Sequence, residues 1–528
     1  MTGHTTTGHT PFLRRALPLV VAAAVPALLS MPAADAGARS HTREARVGQL
    51  AASSYLGGLE WDEASGVAAD RRGNLVLAGF TLSDDFPVVG PAATGHAAVV
   101  DAFVTKVAAD RSRIVWSTQL GGRDLDAATA LTTDRAGNVY VAGRTGSTNF
   151  PVARPLQRRL AGRACTGEPC HDAFVAKLSR GGRVRWATYF GGSGSEEPLG
   201  IAVDRQGAVY IAGSTDSEDL PLQSPIQRNF QSSCEGDLPC PYDAFVTKIA
   251  PDGSRLVYST YLGGSAGDLA RGLAVDRRGR AYVAGSTGSP DFPKENALQG
   301  GTRGKHCGPP PGEPCRQAFV ARLNRTGSQL SYSTYLGGRE HDDGFGIAVD
   351  GRDRAYVTGS TASPDFPTRN AVQPVLATSA CTTTGPQEFC DDAFVTRINA
   401  TGRRLSYSTY LGGQAEDQGL TIDATTNGRA LVGGRTDSVN FPTTAGVAQP
   451  TYGGAIDGFA AELGRRGGLG SSSFLGGGEA DRVTGIAANR TGGVDVVGRT
   501  LSPDFPTAAP FQAALKDDDY DAFVATFR

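Results

Sequence analysis

Residues 183–221 read RVRWATYFGGSGSEEPLGIAVDRQGAVYIAGSTDSEDLP, and close relatives of this stretch recur along almost the whole chain. Three markers keep a fixed order. A glycine pair after an aromatic residue or leucine ends at Gly58, Gly122, Gly192, Gly264, Gly338, Gly413 and Gly477. A Phe-Pro step, once Leu-Pro, ends at Pro87, Pro151, Pro221, Pro293, Pro367, Pro442 and Pro506. A DAFV-like tetrad starts at Asp101, Asp172, Asp243, Gln317, Asp392, Asp457 and Asp521. Seven of each marker means seven units, with successive glycine pairs 64, 70, 72, 74, 75 and 64 residues apart.

Working outward from the quoted stretch, alternating apolar residues bounded by turn residues predict four short strands per unit. The first is GIAVD (200–204), the second AVYIAGS (208–214), the third DAFVAKL (172–178 in the preceding copy) and the fourth LVYSTYL (256–262). We call them A, B, C and D. A turns into B at Asp-x-x-Gly, as in Asp204 to Gly207, and C into D at stretches like Pro251-Asp252-Gly253-Ser254. Both are tight-hairpin chemistry.

Seven four-stranded units predict an all-β, seven-bladed β-propeller spanning 47–528. An open solenoid is the competing architecture, and the phase of the repeat decides against it. The chain enters the repeat on a D-type strand ending in Ser54-Tyr55-Leu56-Gly57-Gly58 and leaves it on a C-type strand, Asp521 to Phe527. Each end lacks what the other supplies. The N-terminal strand is therefore expected to complete the last blade and hide both edges, whereas a solenoid needs caps. The copies of YLGG, GIAVD, VYVAGST and DFP resemble the SBBP, or beta-propeller repeat, family, and the GIAVD-x-x-G-x-VYVAG core is similar to NHL propellers. The resemblance covers about 47–528. It implies a propeller on a secreted or cell-surface protein and no defined substrate. Departures are Gln317 for Asp, Gly458 for Ala, and Ala130 and Thr421 where other copies have the glycine entering strand A.

Ahead of the repeat, Arg14 and Arg15 precede a mostly apolar run from Ala16 to Ser30, followed by Ala34-Asp35-Ala36. This reads as a secretory signal peptide over 1–36 with a linker over 37–46. Pro18 and Pro26 interrupt the run, which is also short for a membrane span. A secreted or extracellular chain with no span after signal removal is the expectation. Lys plus Arg number 51 against 53 Asp plus Glu, and this near-neutral balance argues against a nucleic-acid partner. The eight cysteines fall in four close pairs, Cys165/Cys170, Cys234/Cys240, Cys307/Cys315 and Cys381/Cys390. An even count behind an export signal predicts local disulfides. The unequal gaps lack the tight spacing of zinc sites, so no metal is assigned to them.

Strands of a meander alternate in direction, so the A–B and C–D turns share one face and the B–C and D–A connections share the other. The second face carries the variable loops and the cysteine pairs, the arrangement of a rigid scaffold presenting recognition loops. Four residues after each glycine pair stands a carboxylate: Asp62, Asp126, Glu196, Asp268, Asp342, Asp417 and Asp481. Seven acids near the channel mouth could attract calcium, but a feature of every blade reads first as a turn cap. Candidate ligand-binding residues are sought where the symmetry breaks. They are Trp61, Glu197, His341 and Asp343; Trp116 and Trp186, in D strands, read as core.

No GxSxG elbow, HExxH, P-loop or dinucleotide fingerprint occurs. No catalytic residue and no cofactor are assigned. The expected function is a monomeric binding module for an extracellular carbohydrate or protein. A propeller-fold hydrolase or lyase on an extracellular polysaccharide, using paired carboxylates at the mouth, and a structural surface protein stay open beside it.

Overall fold

The computed structural model describes residues 46–90, 100–162, 170–232, 242–304, 307, 315–377, 390–489 and 492–528. They hold twenty-eight strands in seven four-stranded antiparallel sheets. The first blade runs β2 (Asp62–Ala69), β3 (Leu75–Thr81), β4 (Asp101–Val107), β5 (Ile114–Leu120), in that spatial order. These are strands A to D, with A innermost. The same order repeats to the last blade, where β26 (Asp481–Ala488), β27 (Val494–Thr500) and β28 (Asp521–Phe527) are completed by β1 (Leu50–Leu56). β1 lies antiparallel to β28 with Tyr55 opposite Phe523. The ring is closed, and among the described residues no helix is long and apolar enough to cross a membrane.

The markers recur because each makes a blade's interior. The phenylalanine of every DAFV-like tetrad is fully buried, and in every blade but the third, where the step is Leu220-Pro221, it meets the ring of the Phe-Pro step in its own blade. Phe86 and Phe103 lie 4.5 Å apart between centroids, Phe150 and Phe174 4.7 Å, Phe505 and Phe523 4.6 Å. Each such ring contributes about 1.5–3 kcal/mol by burial and roughly 0.5–1.5 kcal/mol by pairing. The tyrosine two residues before the glycine pair adds a polar tie. Tyr189 donates to Ser147 O at 2.6 Å and Tyr261 to Ser217 O at 2.7 Å. In the last blade the equivalent tyrosine is Tyr55 of β1, donating to Ser502 O at 2.8 Å. The N-terminal strand thus brings the chemistry of a D strand to a blade it is far from in sequence.

Strand A begins four residues earlier than alternation predicts. β10 spans Glu196–Val203 instead of starting at Gly200, because a bulge between Pro198 and Gly200 breaks the period-two pattern. The same bulge recurs in every inner strand, between Ala64 and Gly66 in β2. Inner strands crowd at the axis: a Cβ on Gly485 would fall 3.1 Å from the Cα of Gly66. The bulged residues include Leu199, Phe345, Leu420 and Thr484, all buried, with Phe345 packed on Leu420 in a small cluster apart from the blade cores.

The B–C connections serve a purpose that their sequence does not announce. After Phe-Pro each turns along the free edge of its own blade's D strand. Ala153 bridges Ala187 and Gln157 bridges Tyr189 on β9 (Val184–Phe190); Gln223 bridges Ser259, Arg369 bridges Ser408 and Ala508 bridges Ser53. The outer edges are covered, which guards a sheet against pairing with other chains. Cys307 and Cys315 form a disulfide with 4.9 Å between Cα atoms. Cys170 and Cys390 are disulfide-bonded as well, and Cys165, Cys234, Cys240 and Cys381 lie outside the described residues.

Candidate functional site

The seven carboxylates that follow the glycine pairs open the inner strands and are all buried. Gly58 N–H and the Ser83 hydroxyl both donate to Asp62 Oδ2, at 2.7 and 2.8 Å. Asp126, Asp268, Asp417 and Asp481 accept the same two bonds from their own glycine and serine. Glu196 accepts from Gly192 and Thr215, and Asp342 from Gly338, Thr361 and Ser363. These groups cap their turns inside the seams between blades instead of lining the mouth. Among the described residues no three His, Cys, Asp or Glu side chains stand together as metal ligands.

Each seam brings a second carboxylate, the first residue of strand C in the preceding blade. A Cβ on Gly57 would lie 2.0 Å from Asp521 Oδ1 and 2.7 Å from Asp62 Oδ2, so both oxygens crowd one backbone position. The other oxygen of Asp521 accepts from Gln512 Nε2 at 2.9 Å, as Asp172 does from Gln157 and Asp392 from Gln373. Oδ1 of Asp392, Asp457 and Asp521 is buried without a hydrogen bond. Burial pushes Asp62, Asp268, Asp417 and Asp481 up to about 7, and Glu196 and Asp342 up to about 8. Asp521 and Asp392 also rise to about 8, by burial and then by the facing Asp62 and Asp417. Two carboxylates in one dry site hold a proton between them because both cannot ionise cheaply. At the one departure, Gln317 Nε2 donates to Asp342 Oδ2 at 3.1 Å.

The positions beside these seams face the channel mouth and differ from blade to blade. They are the residue after each inner-strand carboxylate, the B-strand residue opposite it, and the residues just before strands A and C. Arg144 of one blade meets Glu197 of the next at 3.6 Å, and Arg499 meets Glu63 at 2.9 Å. Asp343 takes two bonds from Arg316, at 3.3 and 3.1 Å. Burial raises the Asp343 carboxyl, but Arg316 and Arg271 outweigh it and hold the group below the usual range. Burial pushes Asp391 up to about 7, against a bond from Ser360 and with Asp343 and Glu416 nearby. Arg271 lies over the Phe345 ring at 5.2 Å, with Asp343 and Glu197 as its nearest acids. Arg435 pairs with Glu416 at 2.5 Å.

The four candidates from sequence fall on two sides of this mouth. His341 accepts at Nδ1 from Arg316 N–H at 3.1 Å, so His341 and Asp343 share one arginine. Glu197 and Asp343 flank Arg271. Trp61 stands apart, half-buried against Phe80 and Tyr520 at 5.7 and 5.6 Å, with Arg499 over its ring at 5.0 Å. Its Nε1 is buried without a hydrogen bond. Trp116 and Trp186 are core, as read. Sequence reasoning missed Arg144, Arg271, Arg316, Asp391, Arg435, Arg482, Arg499 and Tyr520. A signal for three of them was present: strand B ends in Gly-Arg-Thr at 143–145, 434–436 and 498–500, where three blades have Gly-Ser-Thr and the first has Gly-Phe-Thr. On the opposite, tight-turn face a shallow cleft of about 260 Å³ is lined by Asp134, Asp204 and Pro251 of the hairpin turns and by Tyr140 and Lys177 of the adjoining strands.

Comparison with known proteins finds a repeat family, a curated relative and solved structures that match this chain. The family model described as beta-propeller repeat matches residues 115–151, 185–221, 257–293 and 331–367. Each match runs from a D strand to the Phe-Pro step. The regulatory protein FlaEY of Caulobacter vibrioides is 24% identical over 369 residues, covering 65% of this chain and 34% of its own length. The chain therefore spans about a third of that relative. Among solved structures, a Dyadobacter fermentans protein of unknown function is 11% identical, covering 91% of this chain and 100% of its own, with a TM-score of 0.41. Sqt1 from Chaetomium thermophilum is 12% identical, covering 91% of this chain and 99% of its own, with a TM-score of 0.40. The marker order is kept through seven blades and the family model matches four times, so the chain carries repeats of the SBBP, or beta-propeller repeat, type.

Proposed function

We propose that this protein is a secreted binding module that holds an extracellular carbohydrate or protein ligand across its channel mouth. The observation that carries the reading is a contrast within one ring. Packing, turn and seam residues repeat from blade to blade, while the charged and aromatic side chains gathered at the mouth change around the ring, adjacent blades sharing the strand-B arginine only at Arg435 and Arg499. Function more often sits where a symmetric scaffold departs from itself. The leading Arg14-Arg15 and apolar run support export, as does the Cys307–Cys315 disulfide, since such bonds persist in oxidising compartments.

A second reading, a hydrolase or lyase on an extracellular polysaccharide, is favoured by one feature. Asp391 and Asp343 are neighbouring carboxylates whose surroundings drive them in opposite directions, Asp391 upward and Asp343 downward. Such a split assigns an acid and a base. Both readings are tested by presenting the purified chain to an array of glycans and cell-surface polymers and weighing each retained ligand. Saturable capture of intact ligand, weakened about tenfold by Trp61→Ala, supports the module. Recovery of shortened ligand, abolished by Asp391→Asn, supports the enzyme. No capture of any polymer removes the enzyme and the carbohydrate ligand and leaves a protein ligand or a structural role.

A further inference from the structure

We infer that the ligand carries one negatively charged group, the carboxylate of an acidic sugar, and that Arg482 receives it. The inference rests on the channel mouth being the binding site. It comes from comparing equivalent positions around the ring. Where a B-strand arginine at the mouth faces the inner strand of the next blade, the other two such seams match it with an acid: Arg144 with Glu197 and Arg499 with Glu63. At the seam between the last two blades the corresponding residues are Arg435 and Arg482, and like charges meet.

Arg435 is satisfied elsewhere, by Glu416 and by Gln418 of its own blade. Arg499, which pairs with Arg482 across β26 and β27, is held by Glu63. Arg482 is left between them, half-buried, making no hydrogen bond or ion pair among the described residues. Burial, opposed by Glu63 and assisted by Arg499 and Arg435, brings its guanidinium down to about 10. A planar fork of donors with no acceptor, beside two further guanidinium groups, has the chemistry that a carboxylate completes with two parallel hydrogen bonds.

The surroundings narrow the ligand. Arg499 lies 4.2 Å over the Tyr520 ring as well as over Trp61, so two half-buried aromatic rings stand next to the charge. A pyranose offers its C–H face to a ring of this kind and a uronate carboxylate to the guanidinium. Glu63, Glu416 and Asp437 border the arginines, and they reject a chain with charge on every residue while admitting a single anionic group at this one place.

The test is calorimetric titration of the full chain with four probes: a neutral galactose trisaccharide, the same trisaccharide ending in one galacturonate, triglutamate and sodium sulfate. The galacturonate-ended sugar is expected to bind at least tenfold more tightly than the neutral one. Arg482→Gln should remove that advantage, and Arg482→Lys should keep part of it. Arg482→Gln should also melt no lower than the wild type, because it deletes an unpaired half-buried charge. Equal binding of both sugars, unchanged in Arg482→Gln, overturns the inference and leaves the mouth as a binding site. Binding of triglutamate or sulfate without the acidic sugar overturns the saccharide assignment. Failure of all four probes, or a melting temperature several degrees lower in Arg482→Gln with Lys rescuing melting but not affinity, overturns it as well.

Discussion

Position 317 replaces a carboxylate with an amide at the one seam where a hydrogen donor stands in for the second acid. Gln317 donates to Asp342, to Glu340 O and to Arg316 O, a bonding pattern open to a group that carries hydrogen and closed to an ionised aspartate. Gln317→Asp should therefore lower stability by roughly 1–3 kcal/mol at pH 8, the cost of a buried acid that must stay protonated or sit beside another charge. Asp521→Asn, its counterpart facing Asp62, should raise the melting temperature at pH 8 and change it little at pH 5. Thermal melts of both variants at the two pH values check the pair. The departure at 317 was visible in the sequence. Its meaning was not, because Gln317 and Asp342 meet only once two blades are packed face to face. The same holds for Arg482: its isolation depends on Arg435 and Arg499, and no spacing along the chain announces that the three converge.

At the scale of strands and seams, alternation located B, C and D and the tight turns, since those segments follow the plain period of a pleated sheet. It misplaced the start of strand A because the bulge between Pro198 and Gly200, and its six equivalents, shifts the pattern by one residue. It also treated the B–C connections as recognition loops throughout, whereas their first halves cover the D-strand edges. The clue was the glutamine at 157, 227, 299, 373, 449 and 512, which ties that half to the glycine pair: Gly191 N–H donates to Gln157 Oε1 at 3.1 Å and Gly263 N–H to Gln227 Oε1 at 3.0 Å. The seams give a pH signature. Among their acids, Asp62 rises from near 4 when unfolded to about 7 in the ring, and Asp342, Asp392 and Asp521 to about 8. The folded state therefore binds more protons between those values, and stability is full below about pH 4 and falls as pH rises through 8, by up to about 1.4 kcal/mol per unit per group. A melting curve series from pH 5 to 9 should decline steadily. A flat or rising series would show the pairs fully ionised.

For the whole molecule, blade number, closure and the division into a tight-turn face and a variable face were all legible, because three markers recur seven times in fixed phase. The closure also predicts a specific weakness. β1 supplies Tyr55 and Leu56 to the last blade, both buried. Deleting residues 1–56 should cost roughly 3–6 kcal/mol from those two side chains alone and expose the β28 edge to association with other copies. Size-exclusion chromatography should show aggregates, and a synthetic peptide of residues 47–58 should restore a monodisperse ring. The overlap of the two ends has an evolutionary consequence too. Each sequence repeat starts on one blade's outer strand and finishes inside the next, so copying or losing a repeat adds or removes a blade and leaves the clasp between β1 and β28 as it was. Matching the two ends had to be achieved once, and rings of other sizes could descend from it by counting alone.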